Sequence, residues 1–284
     1  MTAVGGVGES GLVELIKPYV SRQAGGDDAA VLEPSDGYPV ISTDMAVEGV
    51  HFDLSWMRAE DAGWRALAFA LGDLAAKGAL PEWALSSVAV PRSWSVENFV
   101  GLFKGMHELA SRVPMWIVGG DMSAIDGPAV LSLTVGGSAD GEPIARRAAQ
   151  PGWVVAVTGA LGKSAVALRE HRILRPEPLI AEGLRLNELG LCCGDVSDGL
   201  VQEMEKFLAM SGVGSTIRAD DVPRAAGASV VDALTSGEEV QLVCVGPASV
   251  ITRAGLHVVG EMVEDKRVTV LGAELDRTGY DHFA

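Results

Sequence analysis

The sequence predicts an α+β protein of two domains rather than one strictly alternating parallel α/β sheet. Three observations lead there. The chain has 284 residues, more than a single hydrophobic core usually serves. Helical and strand-like periodicities are mixed in both halves. A stretch rich in Gly, Pro and charge, Ala139 to Gly152, separates the halves and places the domains at 1–138 and 139–284.

In the first half, Leu12, Leu15, Ile16 and Tyr19 follow the helical spacing i, i+3, i+4, i+7. Tyr38 to Thr43 reads as a strand ending at Asp44. Ala59 to Ala79 is an Ala-rich helix, almost wholly apolar after Arg65 and therefore expected to be buried. Trp83 to Val90 reads as a strand between Pro81 and Pro91. Ser95 is placed to cap a helix reaching Arg112, with Glu97 in its first turn. Met115 to Val118 reads as a buried strand running into Gly119-Gly120-Asp121, and Ala129 to Val135 as another. The second half restarts with a strand at Trp153 to Thr158 and a helix near Leu161 to His171. After the break Arg175-Pro176-Glu177-Pro178 come a helix from Leu179 to Leu189, a strand from Leu191 to Val196 and a helix from Asp198 to Ser211. Short strands follow near Ser215 to Ile217, Val240 to Val245 and Val268 to Leu271.

Composition excludes several classes. The net charge is −16, which repels a phosphate backbone and argues against a general nucleic-acid binder. It leaves room for a nucleotide, because metal cations can bridge carboxylate to phosphate. The longest uncharged stretch, Ala148 to Gly162, is too short and polar to span a bilayer. Glu9 and Glu14 stand where a secretory signal would be basic and then apolar. Cys192, Cys193 and Cys244 form neither a disulfide framework nor a zinc pattern, so a cytoplasmic chain with reduced thiols is expected.

The chemistry concentrates at aspartates beside glycines. They stand in Gly26-Asp27-Asp28, Ser42-Thr43-Asp44, Gly119-Gly120-Asp121 and Asp195-Val196-Ser197-Asp198-Gly199, which read as strand ends or turns. Carboxylates gathered from such points repel by roughly 4 kcal/mol per pair at about 4 Å, a cost that Mg²⁺ would remove. Taken singly, Asp-Gly turns more often just punctuate loops. Asp73 lies in the apolar stretch Ala66 to Leu80, whose only other charge is Lys77. Either the two form an i, i+4 pair or Asp73 is a metal ligand. Gly159-Ala160-Leu161-Gly162-Lys163-Ser164 imitates the end of a P-loop. The full pattern needs a glycine where Val157 stands, so a glycine-rich strand-to-helix turn is the better reading.

In order along nearly the whole chain these motifs resemble the thiamine-monophosphate kinase family, in the superfamily of aminoimidazole ribonucleotide synthetase and selenophosphate synthetase. The segments are Gly26 to Leu32, Ser42-Thr43-Asp44, Val47 to Phe52, Asp73 to Ala76, Gly119-Gly120-Asp121, Val157-Thr158-Gly159, Leu174-Arg175-Pro176, Val196 to Leu200 and Gly279 to Phe283. The resemblance implies the aminoimidazole ribonucleotide synthetase-like α+β fold. It implies an N-terminal α/β domain that dimerises through its sheet, a C-terminal α+β domain and an active site in the cleft between them. It also implies transfer of the γ-phosphoryl group of ATP to the phosphate of thiamine monophosphate, by a homodimer using several Mg²⁺ ions.

Residue by residue, it implies that Asp28, Ser42, Thr43, Asp44, Asp73, Asp121, Asp195 and Asp198 form the magnesium shell, with Asp121 and Asp198 as the catalytic carboxylates. Gly120, Asp121, Arg146 and Ser197 would contact ATP. His51, Glu238 and Tyr280 would line the thiamine pocket. The family pattern Gly-Glu-Asp-Tyr-Glu-Leu reads Gly237-Glu238-Glu239-Val240-Gln241-Leu242 here. That departure keeps two other readings open: the same machinery with a different acceptor, and a non-catalytic nucleotide-binding paralogue.

Overall fold

The structure is a computed structural model that describes residues 2–20, 29–30, 32 and 35–283. The chain divides into two compact units. The first comprises Met1–Leu74, Leu80–Ser138 and Ile173–Arg175; the second comprises Ala75–Ala79, Ala139–Arg172 and Pro176–Ala284.

The first unit contains helix α1 (Glu9–Ile16), strand β1 (Tyr38–Val47), most of helix α2 (Ala59–Ala76), strand β2 (Leu80–Val90), helix α3 (Val96–Ala110) and strands β3 (Trp116–Ala124) and β4 (Val130–Ala139). The sheet order is β1-β4-β2-β3, with β2 antiparallel to β4 and parallel to β3. Inward residues of alternating strands, Ala84, Val88, Leu131, Leu133 and Val135, are buried, as are Leu67, Leu71 and Leu74 of α2 and Leu102, Met106 and Leu109 of α3. The two helices approach closely where Gly105 lies against Glu60; a Cβ there would stand 1.8 Å from the Glu60 carbonyl oxygen. Ser95 caps α3 as its sequence suggests, its hydroxyl accepting from the Asn98 amide at 3.0 Å.

All four strands of this sheet differ from their sequence-based bounds: β2 begins at Leu80, ahead of Pro81, and β4 runs on to Ala139. β1 continues through Asp44 to Val47, and β3 continues through Gly119-Gly120-Asp121 to Ala124. The reason lies in a neighbour. Past a register shift at Ala84/Leu85, the ladder with β2 runs on from Ser86↔Gly120 and Ser87↔Asp121 to Val90↔Ala124. Gly120 is required there, since a Cβ would lie 1.9 Å from the Ser86 carbonyl oxygen. Helix α2 stops at Ala76 rather than Ala79, and Gly78 turns the chain at φ +58°.

The second unit holds strand β5 (Val154–Val157), helices α4 (Lys163–Arg169) and α5 (Ile180–Glu188), strand β6 (Cys192–Asp195), helix α6 (Leu200–Ser211), strand β7 (Gly214–Arg218), helix α7 (Val230–Thr235), strand β8 (Leu242–Gly246), helix α8 (Ala248–Ala254) and strands β9 (His257–Val263) and β10 (Val268–Leu271). Its sheet order is β10-β7-β9-β5-β8-β6, antiparallel except for β10 with β7. Val155, Val157, Val243 and Val245 of the central strands form its core with Leu200, Met204 and Phe207 of α6. The sequence reading did not include α7, α8 or β9. Among the described residues no helix is long and apolar enough to cross a membrane.

Candidate active site

Two groups of candidate residues are present, one in each unit. In the first, the strand pleat sorts the triplet on β1. Ser42 donates to Asp73 Oδ2 of α2 at 2.5 Å. Thr43, one residue on, necessarily points to the other sheet face. There it donates to the Leu133 carbonyl at 3.2 Å and accepts from Thr134 at 3.2 Å. Its side chain is therefore not brought together with Ser42 and Asp73. Asp73 does not pair with Lys77 as an i, i+4 neighbour. Lys77 instead donates to the Cys193 carbonyl at 2.9 Å, and burial, first, lowers its pKa. Asp121 is exposed on β3, its Oδ1 accepting from the Met122 amide at 2.8 Å. Asp28 lies outside the described residues.

His51 follows β1 in a turn closed by its own ring. Its Nδ1 accepts from the Val47 amide at 3.1 Å while its amide donates to the Val47 carbonyl at 2.9 Å. An accepting Nδ1 leaves the ring proton on Nε2.

In the second unit the segment Val196-Ser197-Asp198 is a hub. The Glu238 amide donates to the Ser197 carbonyl at 2.7 Å and the Glu239 amide to the Val196 carbonyl at 3.1 Å. The Tyr280 amide donates to the Asp198 carbonyl at 2.9 Å. Residues far apart in sequence, Ser197, Asp198, Glu238 and Tyr280, thus meet at the start of α6. Glu238 takes the left-handed conformation at φ +57°, a strained choice for a non-glycine residue that this hub enforces. Tyr280 is exposed and lies edge-on to His282, ring centroids 4.8 Å apart. Asp195, at the end of β6, is buried. The Asp198 carboxylate accepts from Lys206 at 2.9 Å.

Two departures from the family pattern have local structural roles. The Glu239 carboxylate accepts from the Ser164 amide at 2.9 Å at the N-terminus of α4. A carboxylate of the chain itself therefore sits where a P-loop would hold phosphate, and the strand-to-helix turn at Gly159–Ser164 is no nucleotide cradle. The Gln241 side-chain oxygen Oε1 accepts from the Thr158 hydroxyl at 2.8 Å.

Arg146 occupies a 3-10 turn (Arg146–Ala148), where its Nε bonds Glu203 Oε1 of α6. Lys206 Nζ lies 3.3 Å from the other Glu203 oxygen. Glu203 was not a candidate from sequence, yet a signal was there. Leu200, Met204 and Phe207 mark the buried face of α6, and position 203 falls on that face.

The donors in the first unit are all oxygen, which suits Mg²⁺. Among the described residues no three His, Cys, Asp or Glu side chains converge. The donor set fits a magnesium ion that takes one or two carboxylates from protein and its remaining ligands from phosphate and water, rather than a closed protein cage.

Comparison with known proteins adds descent to this geometry. Residues 26–141 match the family described as AIR synthase related protein, N-terminal domain. A thiamine-monophosphate kinase of Bacillus subtilis is 35% identical over 210 residues, covering 66% of this chain and 64% of that relative. One from Mycobacterium tuberculosis is 34% identical over 283 residues, covering 90% of this chain and 83% of the relative. The solved structure of AaThiL complexed with AMPPCP and TMP superposes with a TM-score of 0.79 at 27% identity, covering 100% of this chain and 99% of that one. The α+β architecture is thus the aminoimidazole ribonucleotide synthetase-like fold, and the chain belongs to the thiamine-monophosphate kinase family of enzymes.

Proposed function

We propose that the chain transfers the γ-phosphoryl group of ATP in line to the phosphate of thiamine monophosphate, giving thiamine diphosphate and ADP, with several Mg²⁺ ions. The observation that carries this reading is the full-length match to AaThiL complexed with AMPPCP, an ATP analogue, and TMP. The acceptor phosphate, with a second pKa near about 6, is largely dianionic at neutral pH and needs no general base. Bringing two polyanions together is the difficulty, so positioning and charge compensation dominate.

Bound Mg²⁺ would supply neutralisation of phosphate charge and orientation of the transferring group. Ser42, Asp44, Asp73 and Asp121 of the first unit would be ligands to some of these ions, and Asp195 and Asp198 of the second to others, each ion taking one or two carboxylates; Asp28 belongs to the same assignment. Thr43 contributes through the strand backbone rather than its engaged hydroxyl. Gly120 lets β3 approach nucleotide without a side chain, and Arg146 and Ser197 donate to phosphate oxygens. His51 offers Nε2–H to the acceptor, Glu238 offers its carboxylate, and Tyr280 stacks on the cationic thiazolium.

The same reading makes the protein a cytoplasmic homodimer. Ile41 and Met45 of β1 and Leu85 of β2 are exposed apolar residues of the four-stranded sheet, as expected of a face covered by a second copy.

Product analysis after incubation with ATP, Mg²⁺ and thiamine monophosphate tests the proposal. Stoichiometric thiamine diphosphate and ADP, abolished by EDTA, is the expected result. Bound nucleotide without diphosphate would reject it and send the search to other acceptors.

A further inference from the structure

We infer that Glu203 is a positioning residue for the nucleotide, holding Arg146 in the orientation that meets the phosphates; this rests on the role proposed for Arg146 above. The Glu203 side chain is 1% exposed among Leu200, Met204 and Phe207. A carboxylate is costly on such a face unless cations and hydrogen bonds compensate it. Arg146 and Lys206 are those cations. Lys206 also reaches Asp198 Oδ2 at 2.9 Å, so one buried carboxylate organises both a phosphate-binding candidate and the partner of a metal-binding one.

Arg146 needs such an anchor. It stands on a single 3-10 turn, and its guanidinium lies 5.9 Å from the Phe207 ring. A bond at Nε fixes the guanidinium plane and aims its terminal nitrogens, instead of leaving a flexible side chain to be ordered on binding. The backbone makes room for the pair. A Cβ on Gly194 of β6 would stand 2.0 Å from Glu203 Oε1 and 3.1 Å from Arg146 Nη2. Glycine at 194 and glutamate at 203 therefore serve the same contact from two elements.

Calorimetric titration of the whole protein with Mg-AMPPCP tests this, alongside the KM for thiamine monophosphate and the thermal midpoint. Loss of an orienting outer partner typically costs about tenfold or more, so Glu203→Gln should bind Mg-AMPPCP about tenfold more weakly with the thiamine monophosphate KM unchanged. Gly194→Ala, which keeps the carboxylate but displaces the pair, should give the same selective loss. Glu203→Asp, which keeps the charge, should recover part of it. In an Arg146→Ala background, Glu203→Gln should cost nothing more, because its effect runs through Arg146. If Arg146→Ala weakens binding but Glu203→Gln does not, or if the two losses simply add, the inference is wrong while the role of Arg146 stands. If Arg146→Ala binds like the unaltered protein, the nucleotide role of Arg146 falls and the inference with it.

Discussion

Replacing Asp61 with asparagine should destabilise the first unit far more than an exposed ion-pair change would. The Asp61 side chain is 1% exposed. It accepts from Arg175 Nε at 2.6 Å and from Arg58 Nε and Nη2 at 2.8 and 3.0 Å. Arg175 also donates to Glu108 at 2.6 Å and lies 5.2 Å over the ring of buried Trp64. Segment 173–175 thereby belongs to the first unit while the chain on either side belongs to the second, which gives the Leu174-Arg175-Pro176 motif a physical role. Removing one charge of a buried pair costs about 3–5 kcal/mol. Arg175 keeps Glu108 and Arg58 can turn to water, so the lower end, about 3 kcal/mol, applies to Asp61→Asn. At about 2–4 °C per kcal/mol, the thermal midpoint should fall by about 6–12 °C. Arg58→Ala, whose side chain is 66% exposed, should cost under about 1 kcal/mol.

Burial by itself would raise the Asp61 pKa, but hydrogen bonds from Arg58 and Arg175 outweigh it and hold the group below 3.8. Its contribution is therefore present above that value and lost as pH falls through the lowered one. Circular dichroism melts of the three proteins across acid pH would measure both effects. An Asp61→Asn midpoint within a degree or two of the unaltered protein, or equal losses in Arg58→Ala and Asp61→Asn, would refute the argument.

Three further outcomes are expected. Burial, first, raises the Glu239 carboxyl above its ordinary 4.5, against hydrogen bonds from the Ser164 and Gly162 amides. The folded state then keeps the proton longer than the unfolded one, so stability falls as pH rises through the raised value; Glu239→Gln should flatten that slope in denaturant titrations, and an unchanged slope would assign it to another group. Asp73→Asn should raise the Mg²⁺ concentration needed for half-maximal turnover about tenfold, since it removes one oxygen donor charge beside Ser42; an unaltered magnesium curve would remove Asp73 from the metal shell. Tyr280→Ala should raise the KM for thiamine monophosphate about 2–30-fold, the equivalent of about 0.5–2 kcal/mol of cation–π contact, with the ATP KM held. A change in both KM values alike would instead make Tyr280 a fastener of the C-terminal segment.

Local signals were sufficient for some features. The Ser95 cap of α3, the apolar face of α2 and the strand-to-helix turn at Gly159–Ser164 each depend on residues within one or two turns of chain, and each is readable from periodicity and cap chemistry. The ordered aspartate motifs, with their resemblance, named the family. Other features are set by partners distant in sequence. β3 passes through Gly119-Gly120-Asp121 because β2 continues beside it, although glycines read alone suggest an end. Strand β9 escapes a periodicity reading because Gly260 and Glu261 interrupt its apolar run; it is a strand because β5 and β7 pair with it from both sides.

The same division holds at the candidate site. The residue types were visible as a line of motifs, but their pairings were not. Ser42 meets Asp73, Arg146 meets Glu203, and Tyr280 meets Asp198 across 31, 57 and 82 residues of chain. Sequence by itself determined which groups are chemically able to bind magnesium and phosphate. Only tertiary structure decided which of them share a sheet face, which are engaged by neighbours and which buried carboxylate aims an arginine, because those outcomes depend on packing and desolvation rather than on local chain preference.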